Sequence, residues 1–124
     1  MNYQEFNQFC GALLATTYVM QWGNSHVWKV GGKVFAIGGW SKDKQPAFTF
    51  KTSEQNYHFL CERPGYIPAP YFASRGMKWI QQVDSQGRNN EELEYYLKAS
   101  YGLVIQGLSK AKQKSLGLQQ SVGN

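Results

Sequence analysis

The chain has 124 residues, of which 15% are aromatic, and it carries a formal net charge of +5. That length suits one domain with its own hydrophobic core, and the aromatic content excludes a disordered chain. The chain lacks any run of about 18 apolar residues and its amino terminus lacks the basic start of a signal peptide, so we expect a cytoplasmic protein with no membrane segment.

The positive charge is unevenly distributed along the chain. Residues 26–88 hold nine basic and four acidic residues, and residues 109–124 hold Lys110, Lys112 and Lys114 without an acid. The first 25 residues and residues 89–108 are weakly acidic. Such a distribution predicts a basic face and a polyanionic partner.

An amphipathic helix is predicted at the amino terminus. Asn2 and Glu5 have the spacing of a capping box. The apolar residues that follow recur at helical spacing and form one stripe: Phe6, Phe9, Cys10, Leu13 and Leu14. The β-favouring residues 16–19 then predict a first strand that ends near "QWGNS".

The segment "HVWKVGGKVFAIGGW" predicts a β-hairpin. Gly31 and Gly32 supply the positive φ angles of a two-residue turn between two strands. The expected register places Val30 opposite Lys33, Trp28 opposite Phe35, and His26 opposite Ile37. We expect this aromatic face to join the core, and we place four residues on the other face: Val27, Lys29, Val34 and Ala36.

The remaining elements complete an α+β pattern. "AFTFK" is a predicted strand, and Thr52 or Ser53 caps a second helix that Arg63-Pro64-Gly65 stops. After a proline-rich loop, "MKWIQQV" is the last strand, and residues 90–108 form a final helix. We therefore predict an antiparallel sheet of about five strands with helices on one face and the other face partly open. Residues 1–108 would form one domain, and residues 109–124 a basic, flexible tail.

Residues suited to catalysis or metal binding are scarce. His26 and His58 lack further ligands at metal-binding spacing, and Asp43 and Asp84 lie in predicted turns. The glycine pairs and serines do not form phosphate-binding or hydrolase motifs. We predict a protein that is not an enzyme, with no cofactor and no metal.

Two cysteines admit more than one interpretation. Cys10 and Cys61 fall at apolar helix positions without a CxxC spacing. Buried, reduced thiols are the favoured interpretation, and a disulfide or a reactive thiol remains the alternative.

A nucleic-acid interface is the more specific hypothesis. Six basic residues of strands and loops are candidates for phosphate contacts: Lys29, Lys33, Lys42, Lys44, Arg75 and Lys78. Tyr71, Phe72 or Trp79 could stack on single-stranded bases. The alternative is that these lysines merely solvate strand edges and that Trp79 belongs to the core.

The layout resembles the YjbR/MmcQ family of small bacterial proteins. The resemblance rests on "TTYVMQWGNSHVWKVGGKVFAIGG", "FTFKTS", "RPGYIPAPYFASRGMKWIQQV" and "EELEYYLKASYGLVIQGLSKAKQKSLGL". It implies a curved antiparallel sheet backed by helices, similar to frataxin/CyaY-like and secretion-chaperone-like proteins. Many relatives have Asn-Lys-x-His-Trp where this chain has "SRGMKW", so only Arg75, Lys78 and Trp79 carry over as basic or aromatic members.

The resemblance also bears on function. Family members are often labelled DNA-binding because of a proposed double-wing arrangement of sheet and loops. Frataxin-like iron binding is not expected, because Glu91, Glu92 and Glu94 are too few and lie at a helix start. We therefore expect nonspecific DNA binding, with a non-enzymatic, chaperone-like protein-interaction module that uses the open sheet face as the alternative. A monomer is favoured.

Overall fold

The computed structural model describes residues 1–39, 46–72, 75–83 and 90–118. Within these ranges the elements follow one another as α1 (Tyr3–Gly11), β1 (Thr16–Gln21), β2 (Ser25–Val30), β3 (Lys33–Gly38), β4 (Phe48–Lys51), α2 (Glu54–Cys61), β5 (Tyr66–Pro68), β6 (Trp79–Gln82), α3 (Asn90–Gln106) and α4 (Lys110–Ser115). The strands form one antiparallel sheet in the order β1-β2-β3-β4-β6-β5. The predicted α+β fold is confirmed, and β5 adds a strand where the sequence indicated a loop.

The helix starts agree with the sequence. The amide of Glu5 donates to the Oδ1 atom of Asn2 at 2.7 Å, and the amide of Asn2 donates to the Oε1 atom of Glu5 at 3.0 Å, which completes the predicted capping box. Ser53 caps α2 by accepting from the amide of Asn56. Both caps satisfy backbone donors that a helix start leaves without an intrahelical partner.

The β2–β3 hairpin forms, but its register differs from the prediction. Val30 lies opposite Lys33 as expected, whereas an irregularity between Trp28 and Lys29 places Trp28 opposite Ala36. The bulge at Phe35 brings both Phe35 and Ala36 to the helix side, and Ile37 turns to the opposite face. The predicted pairings of Trp28 with Phe35 and of His26 with Ile37 are therefore wrong by one residue.

The helices pack on one face of the sheet and enclose the hydrophobic core. Fully buried aromatic and aliphatic side chains from α1, the strands and α3 fill it, among them Phe6, Phe35, Phe48, Phe50, Ile80 and Leu97. The side chain of Ser100 links α3 to the sheet where the β3–β4 pairing ends. Its hydroxyl accepts from the backbone amide of Lys51 at 2.8 Å and donates to the backbone carbonyl of Phe35 at 2.6 Å. The helix thus satisfies two backbone groups beside the bulge.

The second face of the sheet is buried along its middle. Strand alternation places Val27, Ile37, Thr49 and Gln81 on this face in one row across four strands, and all four side chains are almost fully inaccessible. The side-chain amide of Gln81 donates to the hydroxyl of Thr49 at 3.0 Å. This row does not have the exposure that we expected of a partly open face.

Part of the cover comes from the segment that precedes β6. Trp79 shares the second face with Gln81 and is 6% exposed, and Phe72 stacks on it with ring centroids 4.6 Å apart. Trp79 is therefore a packing residue, as its alternation with neighbouring positions suggested. A base could not stack on it without displacing Phe72.

The carboxyl-terminal part differs from the predicted flexible tail. Residues 110–115 form α4, capped by Ser109, and the side-chain amide of Gln113 donates to the carbonyls of Ile105 and Leu108 at the end of α3. Leu118 is buried in the core cluster. Residues 109–118 therefore belong to the fold, and residues 119–124 lie outside the described residues.

Candidate nucleic-acid interface

One end of the sheet collects several lysines. The turn of the β2–β3 hairpin, the last residue of β4 and the first residue of β6 all lie at this end, because neighbouring strands run antiparallel. We call it the basic end and define it by four residues: Lys29, Lys33, Lys51 and Lys78. Two strands lie between β2 and β6, so these lysines extend over roughly 14 Å at about 4.8 Å per strand.

The hairpin contributes Lys29 and Lys33. Lys29 lies opposite Thr17 and Val34, and strand alternation places it on the second face, as predicted. Lys33 is exposed at the first position after the turn. Gly31 must remain a glycine there, since its φ is +61° and a Cβ atom would lie 2.6 Å from the Cδ1 atom of Leu108.

Lys51 and Lys78 contribute the central part of the basic end. The β4–β6 pairing ends with Lys51 opposite Trp79, and the amide and hydroxyl of Thr52 both donate to the carbonyl of Lys78. The ammonium of Lys78 lies 4.8 Å from the centroid of the Tyr57 ring on α2. That cation–π contact orients Lys78 without neutralising its charge.

The lysines of α4 lie near the same end. Helix α3 starts beside β5, passes Phe35 and Lys51 at Ser100, and ends where Leu108 packs against Gly31 at the hairpin turn. Helix α4 follows directly, with Lys110, Lys112 and Lys114 exposed. Within the described part of the chain, none of the lysines of the basic end or of α4 forms an ion pair.

Acidic residues gather at the opposite end of the sheet, which we call the acidic end. Helices α1 and α3 start there and α2 ends there. Of the acidic residues that the structure describes, only Glu54 lies at the basic end, and the acidic end holds the others: Glu5, Glu62, Glu91, Glu92 and Glu94.

A hydrogen-bonded network joins three elements at the acidic end. Tyr66 of β5 donates its hydroxyl to Glu92 and accepts from the side-chain amide of Gln82 at 3.2 Å. Arg63 pairs with the other carboxylate oxygen of Glu92 at 3.2 Å. Burial, followed by the charge of Glu92, raises the pKa of the neighbouring Tyr96. This network ties the charge of Glu92 to the structure.

Arg75 is separated from the basic end. It is exposed and lines a cavity of about 340 Å³ together with Trp22, Tyr71 and Phe72, on the side of the β1–β2 turn. Tyr71 adopts a positive φ of 71°, a conformation that bulky residues rarely take. Of the six candidate residues, the structure thus places Lys29, Lys33 and Lys78 along one end of the sheet and Arg75 away from it, while Lys42 and Lys44 lie outside the described residues.

Sequence reasoning missed Lys51 and the lysines of α4 as members of one site. Lys51 follows the alternating "AFTF" strand directly, and a lysine at a strand end was the available signal. For α4, the signal was the apolar pair Leu116 and Leu118 after a lysine-rich stretch, which indicates a segment that packs back onto the fold.

A larger groove lies between α1 and the edge strand β1. It has a volume of about 700 Å³ and is lined by the aromatic rings of Tyr3, Tyr18 and Trp28 with several amides. Its polar groups bond to one another: the indole of Trp28 donates to Asn7 at 2.9 Å, and Tyr18 and Asn7 both contact the Nδ1 atom of His26. No lysine or arginine side chain lines it.

Other chemistries find little support in the described residues. Those residues contain no cluster of three or more metal-ligating side chains and no helix that is long and apolar enough to cross a membrane. Cys10 and Cys61 are both free, and burial raises the pKa of the Cys10 thiol far above its ordinary value. Cys10 therefore behaves as a small apolar core residue.

Comparisons with known proteins agree with this fold. A crystal structure of a Deinococcus radiodurans protein, described as a DUF419 domain, is 21% identical with a TM-score of 0.81 and covers 99% of this chain and 93% of its own. A Pseudomonas syringae protein is 19% identical with a TM-score of 0.66, covering 83% of this chain and 98% of its own. Among curated proteins no match is found. The YjbR family profile matches residues 11–103, and the chain belongs to the YjbR family.

Proposed function

We propose that this protein binds double-stranded DNA nonspecifically, by phosphate contacts through the basic end. The observation that carries the proposal is the separation of charge among the described residues: lysines without ion pairs lie at one end of the sheet, and most carboxylates lie at the other. A polyanion approaching such a molecule is attracted to one end and repelled by the other.

The dimensions of the basic end suit a duplex. Its lysines extend over roughly 14 Å, a length along which a DNA duplex carries about eight backbone charges at one per ~1.7 Å. Lysine ammonium groups supply affinity at phosphates and carry no sequence information. The proposed interface therefore lies at the end of the sheet, where the sequence suggested a sheet-and-loop face.

A duplex is favoured over a single strand by the positions of the aromatic rings. Trp79, the aromatic residue nearest the basic end of β6, is covered by Phe72, and the ring of Tyr57 is occupied by Lys78. Trp22 and Tyr71 are exposed, but they lie with Arg75 away from the basic end. Single-strand binding combines base stacking with phosphate contacts, and the described residues offer no continuous surface for both.

The alternative of a partner held on the second face receives less support. The middle row of that face is buried, so a peptide could not lie directly on it.

Fluorescence-anisotropy titration of a labelled duplex of mixed sequence tests the proposal. Four phosphate contacts predict that the logarithm of the association constant falls with the logarithm of salt concentration with a slope of roughly −3.6. Replacing Lys29, Lys33, Lys51 and Lys78 together by glutamine should remove most of this slope.

The matched control is Lys98→Gln, which removes one exposed lysine of α3 outside the basic end. It should leave the slope nearly unchanged. A wild-type slope near zero would refute the proposal. So would a loss of slope in Lys98→Gln as large as the loss in a variant with one basic-end lysine replaced by glutamine.

A further inference from the structure

The two edges of the sheet are unequal. Strand β5 forms one edge, has three residues and contains Pro68. Strand β1 forms the other edge and has six residues, and among the described residues no strand pairs with its outer side. Natural sheets protect their edges with short strands, proline or charge, because an open edge can pair with another strand. β5 is protected in this way.

β1 has none of these protections. Its sequence, "TTYVMQ", contains no proline and no charged residue. Two of its large side chains are substantially exposed, Tyr18 at 44% and Met20 at 49%, and Trp22 follows directly in the turn at 43%. An uncharged edge with exposed apolar side chains is a surface that a folded protein usually covers.

We propose that β1 pairs antiparallel with β1 of a second copy of this chain, so that two sheets join into one across a two-fold axis. A second copy is the fitting occupant because an uncharged strand meets its own copy without like charges opposite each other. This departs from the monomer that the sequence favoured.

The register that suits the side chains is centred on Val19. Tyr18 then lies opposite Met20 of the second copy, and Thr17 lies opposite Gln21 of the second copy. Residues opposite each other share a face, so Tyr18 and Met20 meet on the helix side of both sheets. The thioether of Met20 and the ring of Tyr18 make a favourable contact, and the two-fold symmetry generates the same contact a second time.

Charge complementarity supports the antiparallel arrangement. Thr16 lies at the basic end of the sheet and Gln21 at the acidic end. Antiparallel pairing sets the basic end of one copy beside the acidic end of the other. A parallel arrangement would bring the two groups of lysines together, at a cost in repulsion.

The unequal edges also limit the assembly. Once the two β1 strands have paired, each outer edge of the joined sheet is a β5 strand, and Pro68 lacks the amide that a further strand would need. The contact is isologous and closes at two copies. The inference therefore predicts a dimer and excludes a filament.

Sedimentation velocity of the full chain under reducing conditions tests this inference. The expected result is a mass that moves from 14.1 kDa towards twice that value as the protein concentration rises from about 1 to about 200 µM. Met20→Lys places a charge at the centre of the proposed contact and should keep the protein monomeric throughout that range. The control, Tyr95→Lys, introduces the same charge in place of an exposed aromatic side chain on α3 and should dimerise like the wild type.

Hydrogen exchange gives a second measurement that does not depend on the variant. Amides of residues 16–21 should become more slowly exchanging at the higher concentration, while those of β5 should not change. A monomer at all concentrations would overturn the inference, as would a dimer that persists unchanged in Met20→Lys or a concentration effect on β5 amides instead.

Discussion

The charged side chains at the two ends of the sheet differ in how they are bonded. At the acidic end, Glu92 is held by Arg63 and Tyr66, and Tyr66 is held in turn by the buried Gln82. At the basic end, no described lysine is in an ion pair, and the one orienting contact is that of Lys78 with the Tyr57 ring. The charge of Glu92 is therefore part of the structure, whereas the charge of the lysines at the basic end is available to a partner.

This difference predicts which property each end controls. Substitutions at the acidic end should lower the free energy of unfolding and leave DNA affinity unchanged. Substitutions at the basic end should lower DNA affinity and leave the free energy of unfolding nearly unchanged. The four predictions below test this division, starting with the largest expected effect.

Tyr66→Phe should have the largest effect on stability. The variant keeps the ring and removes the hydroxyl, which leaves the side-chain amide of the buried Gln82 without this acceptor and Glu92 with Arg63 as its partner. Leaving buried polar groups unsatisfied costs about 1–3 kcal/mol. Chemical denaturation should show that loss, and anisotropy should show an unchanged DNA affinity. A loss of affinity without a loss of stability would contradict the division.

Lys33→Gln combined with Lys78→Gln should have the largest effect on binding. Each phosphate contact contributes about 0.9 to the salt slope. Each lysine that is removed should therefore weaken DNA binding roughly tenfold at about 0.1 M salt. Its stability should fall little, because a cation–π contact near the protein surface contributes only about 0.5–1 kcal/mol. Arg75→Gln is the matched control and should retain near-wild-type affinity.

Much of the fold could be predicted from the sequence, because local signals determine it. The capping box of Asn2 and Glu5, the Gly31–Gly32 turn and the alternation of "AFTFK" each specify an element through neighbouring residues. The register of the hairpin beyond Trp28 could not be predicted. It depends on a bulge at Phe35, whose carbonyl is bonded by Ser100 from a distant helix.

The candidate site was predictable only in part, since it arises from the order of strands in the sheet. Lys29, Lys33 and Lys78 were identified by residue type, but only the sheet order sets β6 beside β4 and so brings Lys51 next to Lys78. Arg75 follows β5 in a segment that packs over the second face, which carries it away from Lys78, although only two residues separate them in sequence. The sequence contains no local signal for that separation.

Helix α4 should make a smaller contribution to binding than the sheet. Its lysines are exposed near the basic end on a six-residue helix, which holds them less firmly than strands do. Replacing Lys110, Lys112 and Lys114 by glutamine should reduce the salt slope by less than 0.9 per residue. Thermal unfolding should be unaffected, because Leu116 and Leu118 are retained. A complete loss of binding would assign the affinity to α4 and contradict the account.

The smallest effect is expected from alkaline pH at the acidic end. Burial and the charge of Glu92 raise the pKa of Tyr96 above its ordinary value of 10.0, so the unfolded chain releases this proton before the folded chain does. The stability that this difference provides is present at neutral pH and is lost as pH rises from about 10. Tyr96→Phe, which keeps the stacking on Phe50, should make the alkaline decline of unfolding free energy shallower. An unchanged decline would show that Tyr96 does not contribute.

Nuclear magnetic resonance can locate the DNA contact on the protein residue by residue. A short duplex titrated into labelled protein at low salt should shift the amides of residues 29–33, 51–53 and 78, with weaker shifts in residues 109–115. Residues 3–6, 63–66 and 90–94 at the acidic end should not respond. Shifts confined to the acidic end or to the surroundings of Arg75 would contradict the account, as would the absence of any shift.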